Sequence, residues 1–339
     1  MRVSLFLFVV LAACRAPGSG DPATPDAPNA VEPDAAPNIY CNATDPRSPA
    51  AEIFATPEAG EQPYIAALMP AQSSIDVMIY EMGYGAILDT LKAKASAGVA
   101  VRVLFDQSEK SVNQKYYDQL AAAGAKVQWS DPKFTYQHAK FFVVDRAVAS
   151  ISTGNYSKDY SIDLERNFVA TDRDPADVGD LVALFEADWT GATPAMTCTR
   201  MVISPINSRS RVIDVINSAT QTLAIESMQL ADSAVRAAIA QRLAAGVQIR
   251  VMIADVGFVS ANAQAATFLK GLGLAPRFIP HLHTKMIVAD GVRAYVGSEN
   301  LSQTSLDHNR EVGLVVTDLS SIEPLVTTFE HDWGLGTEF

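Results

Sequence analysis

Two stretches of this chain, HAKFFVVDRAVASISTGN (138–155) and HTKMIVADGVRAYVGSEN (283–300), carry the same four polar residues at the same spacing. His138, Lys140, Asp145 and Asn155 in the first answer to His283, Lys285, Asp290 and Asn300 in the second. The likeness extends well past them. AGVAVRVLFD (97–106) matches AGVQIRVMIA (245–254), and FEADW (185–189) matches FEHDW (329–333). An offset that drifts only from 148 to 144 residues along the body marks a duplication with small loop changes, not chance local similarity. Such a chain must fold as two copies of one unit.

Each copy shows the same order of elements. SIDVMIYEM and TLAIESMQL read as strands from their β-branched and apolar content. AILDTLKAKASAG and AVRAAIAQRLAAG have helical spacing and end in a Gly suited to closing a helix. VAVRVLF and VQIRVMI follow as strands, then a helix near 112–123 and 261–270, the His-Lys strand with its partner, a strand ending Thr-Asp, and a last helix ending Phe-Glu-x-Asp-Trp. Strands alternating with helices predict an α/β fold, a sheet covered on both faces in each copy. Hydrophobic residues make up 48% of the chain, enough for two such cores. Trp189 and Trp333, at matching helical places, read as core anchors, and the Tyr80–Tyr84 segment after a strand as a candidate for the cleft mouth.

On a strand, His and Lys two residues apart leave the same face. The pattern H-x-K-x-x-x-x-D followed by G-S-x-N resembles the signature of the phospholipase D superfamily. Residues 283–300 match it fully; the first copy has Ser152-Thr153-Gly154-Asn155, with Ser for the leading Gly and Thr for the Ser. The resemblance covers roughly residues 40–339. It implies two phospholipase D-like units packed about a pseudo-two-fold axis, both motifs meeting in one cleft, and a phosphohistidine intermediate.

The chemistry suits these residues. A phosphodiester repels anionic nucleophiles and has a poor leaving group, so catalysis is mainly positioning and charge neutralisation. Lys140 and Lys285 supply point charges for the non-bridging oxygens. One imidazole attacks phosphorus while the other, protonated, gives its proton to the departing oxygen. The resemblance implies His138 as nucleophile and His283 as general acid, then base. It also implies Asn155 and Asn300 as further phosphate donors, with Thr153 and Ser298 as candidates for additional contact. A catalytic imidazole needs its far nitrogen held by an acceptor. Aligning ERNFVATD with EVGLVVTD puts Glu165 and Glu311 in that role. Asp145 and Asp290 resemble family residues that act structurally, away from the phosphate. His281, two residues before His283, would share its strand face, and no partner is expected for it because the first copy has Tyr136 there.

Residues 1–14, MRVSLFLFVVLAAC, have one Arg before an apolar run too short to cross a bilayer as a helix. The ending Leu11-Ala12-Ala13-Cys14 looks like a bacterial lipobox, which implies lipidation of Cys14 and export to the cell envelope. Arg15 in place of Asp implies the outer rather than the inner membrane. Residues 15–38 are mostly Ala, Pro, Asp, Gly and Asn and read as a disordered tether. The two units then divide as 39–197 and 198–339. In an exported protein Cys41 and Cys198 are expected to pair as a disulfide. No Cys/His cluster points to a metal, and no cofactor is expected.

Without the first 14 residues the chain has 25 basic and 38 acidic residues, net −13. No basic stripe argues for nucleic acid. A lipid anchor beside the cleft favours a phospholipid substrate. These points predict a phospholipase D that hydrolyses glycerophospholipids such as phosphatidylcholine to phosphatidic acid, with transphosphatidylation, acting as a monomer with an internal pseudo-dimer. The alternatives are an exported nuclease, a cardiolipin synthase-like phosphatidyltransferase, and a non-catalytic lipoprotein scaffold. The synthase group usually carries membrane-spanning helices before its motifs, and none is evident in the sequence.

Overall fold

The computed structural model describes residues 42–196 and 199–339, which belong to one compact unit. The expectations attached to Cys14, to the 15–38 tether and to the Cys41–Cys198 pair lie outside the described residues.

Two mixed sheets form the frame. The first runs β1 (Glu52–Thr56), β2 (Ser74–Ile79), β3 (Ala100–Phe105), β4 (Lys126–Trp129), β5 (Phe141–Val144), β6 (Val148–Ser152) and β7 (Asn167–Asp172), in spatial order 1-7-6-5-2-3-4. The second comprises β8 (Met201–Ser204), β9 (Thr222–Ser227), β10 (Gln248–Ile253), β11 (Arg277–Phe278), β12 (Lys285–Ala289), β13 (Arg293–Gly297), β14 (Glu311–Val316) and β15 (Thr337–Glu338), in order 15-11-10-9-12-13-14-8. Apart from the added edge strand β15, the second order repeats the first. The register repeats too. Parallel β2 and β3 pair Ile79 with Phe105, as parallel β9 and β10 pair Ser227 with Ile253.

The helices follow local chemistry. Helix Pro175–Thr190 starts on Asp174, whose carboxylate accepts from Ala176 N, and has Pro at its first position, where no N–H is needed. It ends on Gly191 at φ 73°. Helix Ser233–Ala244 starts on Asp232, which accepts from Ala234 and Val235. The turns that end Ala86–Ser96 and Ser233–Ala244 pass through Gly98 and Gly246 at φ 92° and 88°.

The two sheets are not separate bodies. One buried cluster joins Phe141, Phe168, Leu181 and Phe185 of the first repeat to Met286, Leu314, Leu325 and Phe329 of the second. Each repeat keeps an outer core of its own, around Leu91 and Phe105 and around Ile239 and Ile253. Trp189 and Trp333 stack on Phe185 and Phe329 at 5.5 and 5.8 Å, beneath the guanidinium groups of Arg102 and Arg250. Arg47, ahead of β1, reaches Asp172, Asp177 and the carbonyl of Val315 in the other sheet. No helix among the described residues is long and apolar enough to cross a membrane.

Candidate active site

Both His-Lys motifs lie where the two repeats cross. His138 and Lys140 fall just ahead of β5, and His283 just ahead of β12, not inside a regular strand. Their backbones pair instead with the opposite repeat: His138 N and Ala139 N donate to Arg310 O at 2.8 Å, and His283 N donates to Arg166 O at 3.2 Å. Each histidine is therefore fixed by the other half of the chain.

The side chains cross over as well. His138 Nδ1 lies 2.8 Å from Glu311 Oε2, and the other oxygen of Glu311 accepts from Ser305 Oγ at 2.6 Å and Asn309 Nδ2 at 2.9 Å. His283 Nδ1 lies 2.9 Å from Asn167 Oδ1, while Glu165 Oε2 stands further back at 3.6 Å. Glu165 accepts from Ser161 Oγ at 2.6 Å. The alignment that paired Glu165 with Glu311 is thus corrected. Arg166 bonds Asp332 and the carbonyl of Thr56, and Arg310 bonds Asp188 and the carbonyl of Ser204, so the two arginines are the equivalent residues. The flanking residues read Glu-Arg-Asn in one repeat and Asn-Arg-Glu in the other.

Lys140 and Lys285 are fully buried. Lys140 Nζ donates to His138 O, and Lys285 Nζ to His283 O at 2.6 Å and across the repeats to Thr153 O at 3.1 Å. Burial pushes both ammonium groups down, Lys140 to about 7 and Lys285 to about 8, against the pull of Glu311. Burial also lowers both imidazoles. His138 falls to about 4 with Glu311 opposing, and His283 falls well below its ordinary value with Lys285, Lys140 and His138 adding to the effect. Glu311 stays ionised, held at about 2 because the His138 and Lys140 charges overcome its burial. The two lysines thus lie close to losing their protons beside an ionised Glu311, so added negative charge at the site would favour their charged forms.

Asn155 Nδ2 donates to Glu81 Oε2 at 3.2 Å, and Asn300 Oδ1 is buried with no partner among the described residues. Thr153 and Ser298 depart from the expected phosphate contact. Both are buried with their hydroxyls turned to the neighbouring strand, Thr153 Oγ1 between Phe168 N and Asn167 Oδ1, and Ser298 Oγ on Val312 N. His281 does not share the His283 face, because φ of 55° turns the chain there and leaves its side chain exposed. Asp145 and Asp290 sit at the far ends of β5 and β12 and bind only backbone and hydroxyl donors of the turns before β2 and β9.

The sequence pointed to the Tyr80–Tyr84 segment as a candidate for the cleft mouth but not to Tyr80 as a direct neighbour of His138, nor to Glu109 behind it. Tyr80 packs edge-on against the His138 ring at 4.6 Å and lies beneath Lys140 Nζ at 5.0 Å, while its hydroxyl donates to Glu109 at 3.0 Å. Tyr136 lies edge-on to Tyr80 at 5.9 Å. Tyr80 and Glu81 stand at the end of β2, and their counterparts at the end of β9 are Met228 and Gln229. No group of three or more candidate metal ligands occurs among the described residues.

A family model described as "Cardiolipin synthase, PLD-like domain" matches residues 64–189 and again 212–333, well over half of the chain. The chain belongs to the phospholipase D superfamily. This phospholipase D-like chain is 23% identical over 303 residues to the major cardiolipin synthase of Bacillus subtilis (strain 168), covering 74% of this chain and 61% of that one. It is 25% identical over 300 residues to a cardiolipin synthase of Clostridium perfringens (strain SM101 / Type A), covering 74% and 63%. The chain spans about three fifths of the length of these relatives. Among solved structures, phosphatidylserine synthase of Haemophilus influenzae Rd KW20 superposes with a TM-score of 0.67 at 12% identity, over 87% of this chain and 88% of that one. Polyphosphate kinase of Porphyromonas gingivalis superposes with a TM-score of 0.66 at 16% identity, over 83% and 47%. At these identities the likeness is one of fold alone.

Proposed function

We propose that this chain transfers a phosphatidyl group from a glycerophospholipid to an alcohol, in the manner of a cardiolipin synthase, with hydrolysis when water takes the acceptor's place. The observation that carries the reading is the family match to cardiolipin synthases over both repeats, together with two complete His-Lys sets held across one cleft. It replaces phosphatidylcholine hydrolysis, the expectation drawn from acidity and tethering, as the main reaction. Membrane-spanning helices are no requirement for the chemistry, which needs only the cleft.

The mechanism follows from the geometry. A phosphodiester entering the cleft brings the negative charge that the buried Lys140 and Lys285 lack, and so restores their protonation. One imidazole attacks phosphorus through Nε2, forming an N–P bond as the P–O bond to the leaving alcohol breaks. The other imidazolium gives its Nε2 proton to that alcohol. An acceptor alcohol then loses its proton to the same imidazole and attacks phosphorus, and the N–P bond breaks. Asn155 and Asn300 complete the donor set on the non-bridging oxygens.

The test is to incubate the protein with phosphatidylglycerol vesicles, with and without added ethanol, and to follow lipids by mass spectrometry. The reading expects cardiolipin and free glycerol without ethanol, and phosphatidylethanol with it. Phosphatidic acid as the sole product in both cases would return the chain to the hydrolases.

A further inference from the structure

The two histidines stand in nearly superposable frames, yet the groups behind them differ in kind. Glu311 offers His138 a carboxylate at 2.8 Å, and Asn167 offers His283 an amide oxygen at 2.9 Å. The assignment of that oxygen is forced by its neighbours. Thr153 Oγ1 accepts from Phe168 N at 2.9 Å, so its one hydrogen goes to Asn167 Oδ1 at 2.8 Å, while Asn167 Nδ2 donates to the carbonyl of Ser161 at 3.0 Å. Asn167 Oδ1 can only accept. His283 Nδ1 therefore carries a hydrogen, and Nε2, with Lys285 Nζ 3.5 Å away and 3.3 Å from Nδ1, is the nitrogen left to take or give a proton.

We infer that Asn167 is a positioning residue that reserves His283 for proton transfer, and that the exchange of amide and carboxylate between the repeats makes the two histidines unequal. The inference rests on the two-step transfer proposed above. A histidine phosphorylated on Nε2 while Nδ1 keeps its hydrogen bears a positive charge, which the Glu311 carboxylate neutralises. The other histidine never carries phosphorus, so it has no lasting charge to be neutralised. It must give its proton away easily, and a neutral amide stabilises an imidazolium far less than a carboxylate in hydrogen-bond contact does. The charge of Glu165 is set back at 3.6 Å and shared with Ser161 and Asn167. In the forward step the Nε2–phosphorus bond forms at His138, the bond to the leaving alcohol breaks, and His283 Nε2 hands that alcohol its proton. In the return step His283 takes the proton of the acceptor alcohol.

The experiment has two arms. In the first, the enzyme is mixed with bis(p-nitrophenyl) phosphate, quenched in alkali, digested and mapped by mass spectrometry. The adduct is expected on His138 in the wild type and on His283 in the double exchange Asn167→Glu with Glu311→Asn. An adduct on His283 in the wild type, or one that does not move on exchange, overturns the inference and leaves the two-step reading standing. An adduct on neither histidine overturns both. The second arm uses the milder Asn167→Asp. p-Nitrophenol departs without help from an acid, whereas glycerol does not. The variant is expected to lose at least about ten-fold more kcat on phosphatidylglycerol than on the p-nitrophenyl diester. Equal losses on both substrates would mean that Asn167 only supports the fold, and would overturn the inference.

Discussion

Asp145 and Asp290 complete the motif by which the chain is recognised, yet their surroundings make them turn braces. Asp145 accepts from the backbone N–H groups of Gln72, Ser73 and Ser74 at 2.8 Å and from Ser73 Oγ at 2.7 Å. Asp290 accepts from Thr220, Gln221 and Thr222 N–H and from Thr220 Oγ1, all at 2.8 Å. Both residues hold positive φ, 49° and 54°. Partial burial works against the charge, but the backbone donors prevail and hold each carboxyl at about 2 against an ordinary 3.8. That gap is worth about 2.4 kcal/mol, and solvent screening of these half-buried groups reduces it to ~1–2 kcal/mol each. Asparagine keeps the size and tolerates positive φ, but it sets an amide N–H against backbone donors.

Asp145→Asn and Asp290→Asn are each expected to lose roughly 1–2 kcal/mol in urea unfolding at pH 7, and the double variant their sum, since the sites lie in different sheets. The folded pKa is depressed, so this contribution is complete above 3.8 and fades as pH falls through about 2. The gap between wild type and variant should narrow accordingly. Phosphodiester turnover should stay within roughly two-fold, because seven extended residues place each Asp on the order of 20 Å from its histidine. A ten-fold fall in kcat with unchanged unfolding would refute the reasoning and put these carboxylates in the chemistry.

Other expectations are shorter to state. His138→Ala or His283→Ala alone should lower turnover by roughly 10⁴-fold or more, since the residues act as one set; half activity in either would mean two independent sites. For the free enzyme, kcat/KM should rise as pH passes about 4, where His138 becomes neutral, and fall in two stages, first as His283 loses the proton it gives to the leaving alcohol and then past about 7 as Lys140 loses its own. Lys140→Arg should move the upper limb to higher pH, and a wild-type profile flat to pH 9 would contradict the buried ammonium. Gly154→Ala should cost at least about ten-fold in kcat, because its Cβ would stand 2.5 Å from Asn167 Cγ and displace the group behind His283. Gly179→Ala, which meets nothing within 4 Å, is the control and should leave kcat unchanged.

Much of this fold was legible in the sequence because duplication supplies a second reading of every element. The strands, the two helices closed by Gly98 and Gly246, and the His-Lys pairs each gained weight from a counterpart. The error at Glu165 arose from the same habit. Matching Glu to Glu shifted that strand by two residues, although the offset of 144 at the Phe-Glu-x-Asp-Trp helices already favoured Arg166 opposite Arg310. The register is set by buried ion pairs, Arg166 with Asp332 and Arg310 with Asp188, whose partners lie more than a hundred residues away. Glu109, and the contact of Tyr80 with His138, were hidden for another reason. They have no counterparts of the same kind, so no repetition drew attention to them.

The shared core has a consequence for how the chain can be divided. The stretch that recurs is about 145 residues long, but Phe141, Phe168, Met286 and Leu314 are buried together, and helix Leu319–Leu335 lies against β1 of the first repeat. Either half made alone would present this apolar seam to water and lose the backbone partners of its own histidine. The unit of repetition is therefore smaller than the unit of stability. Heating should melt the two sheets in a single transition, and the halves should be recovered in soluble form only when they are produced together.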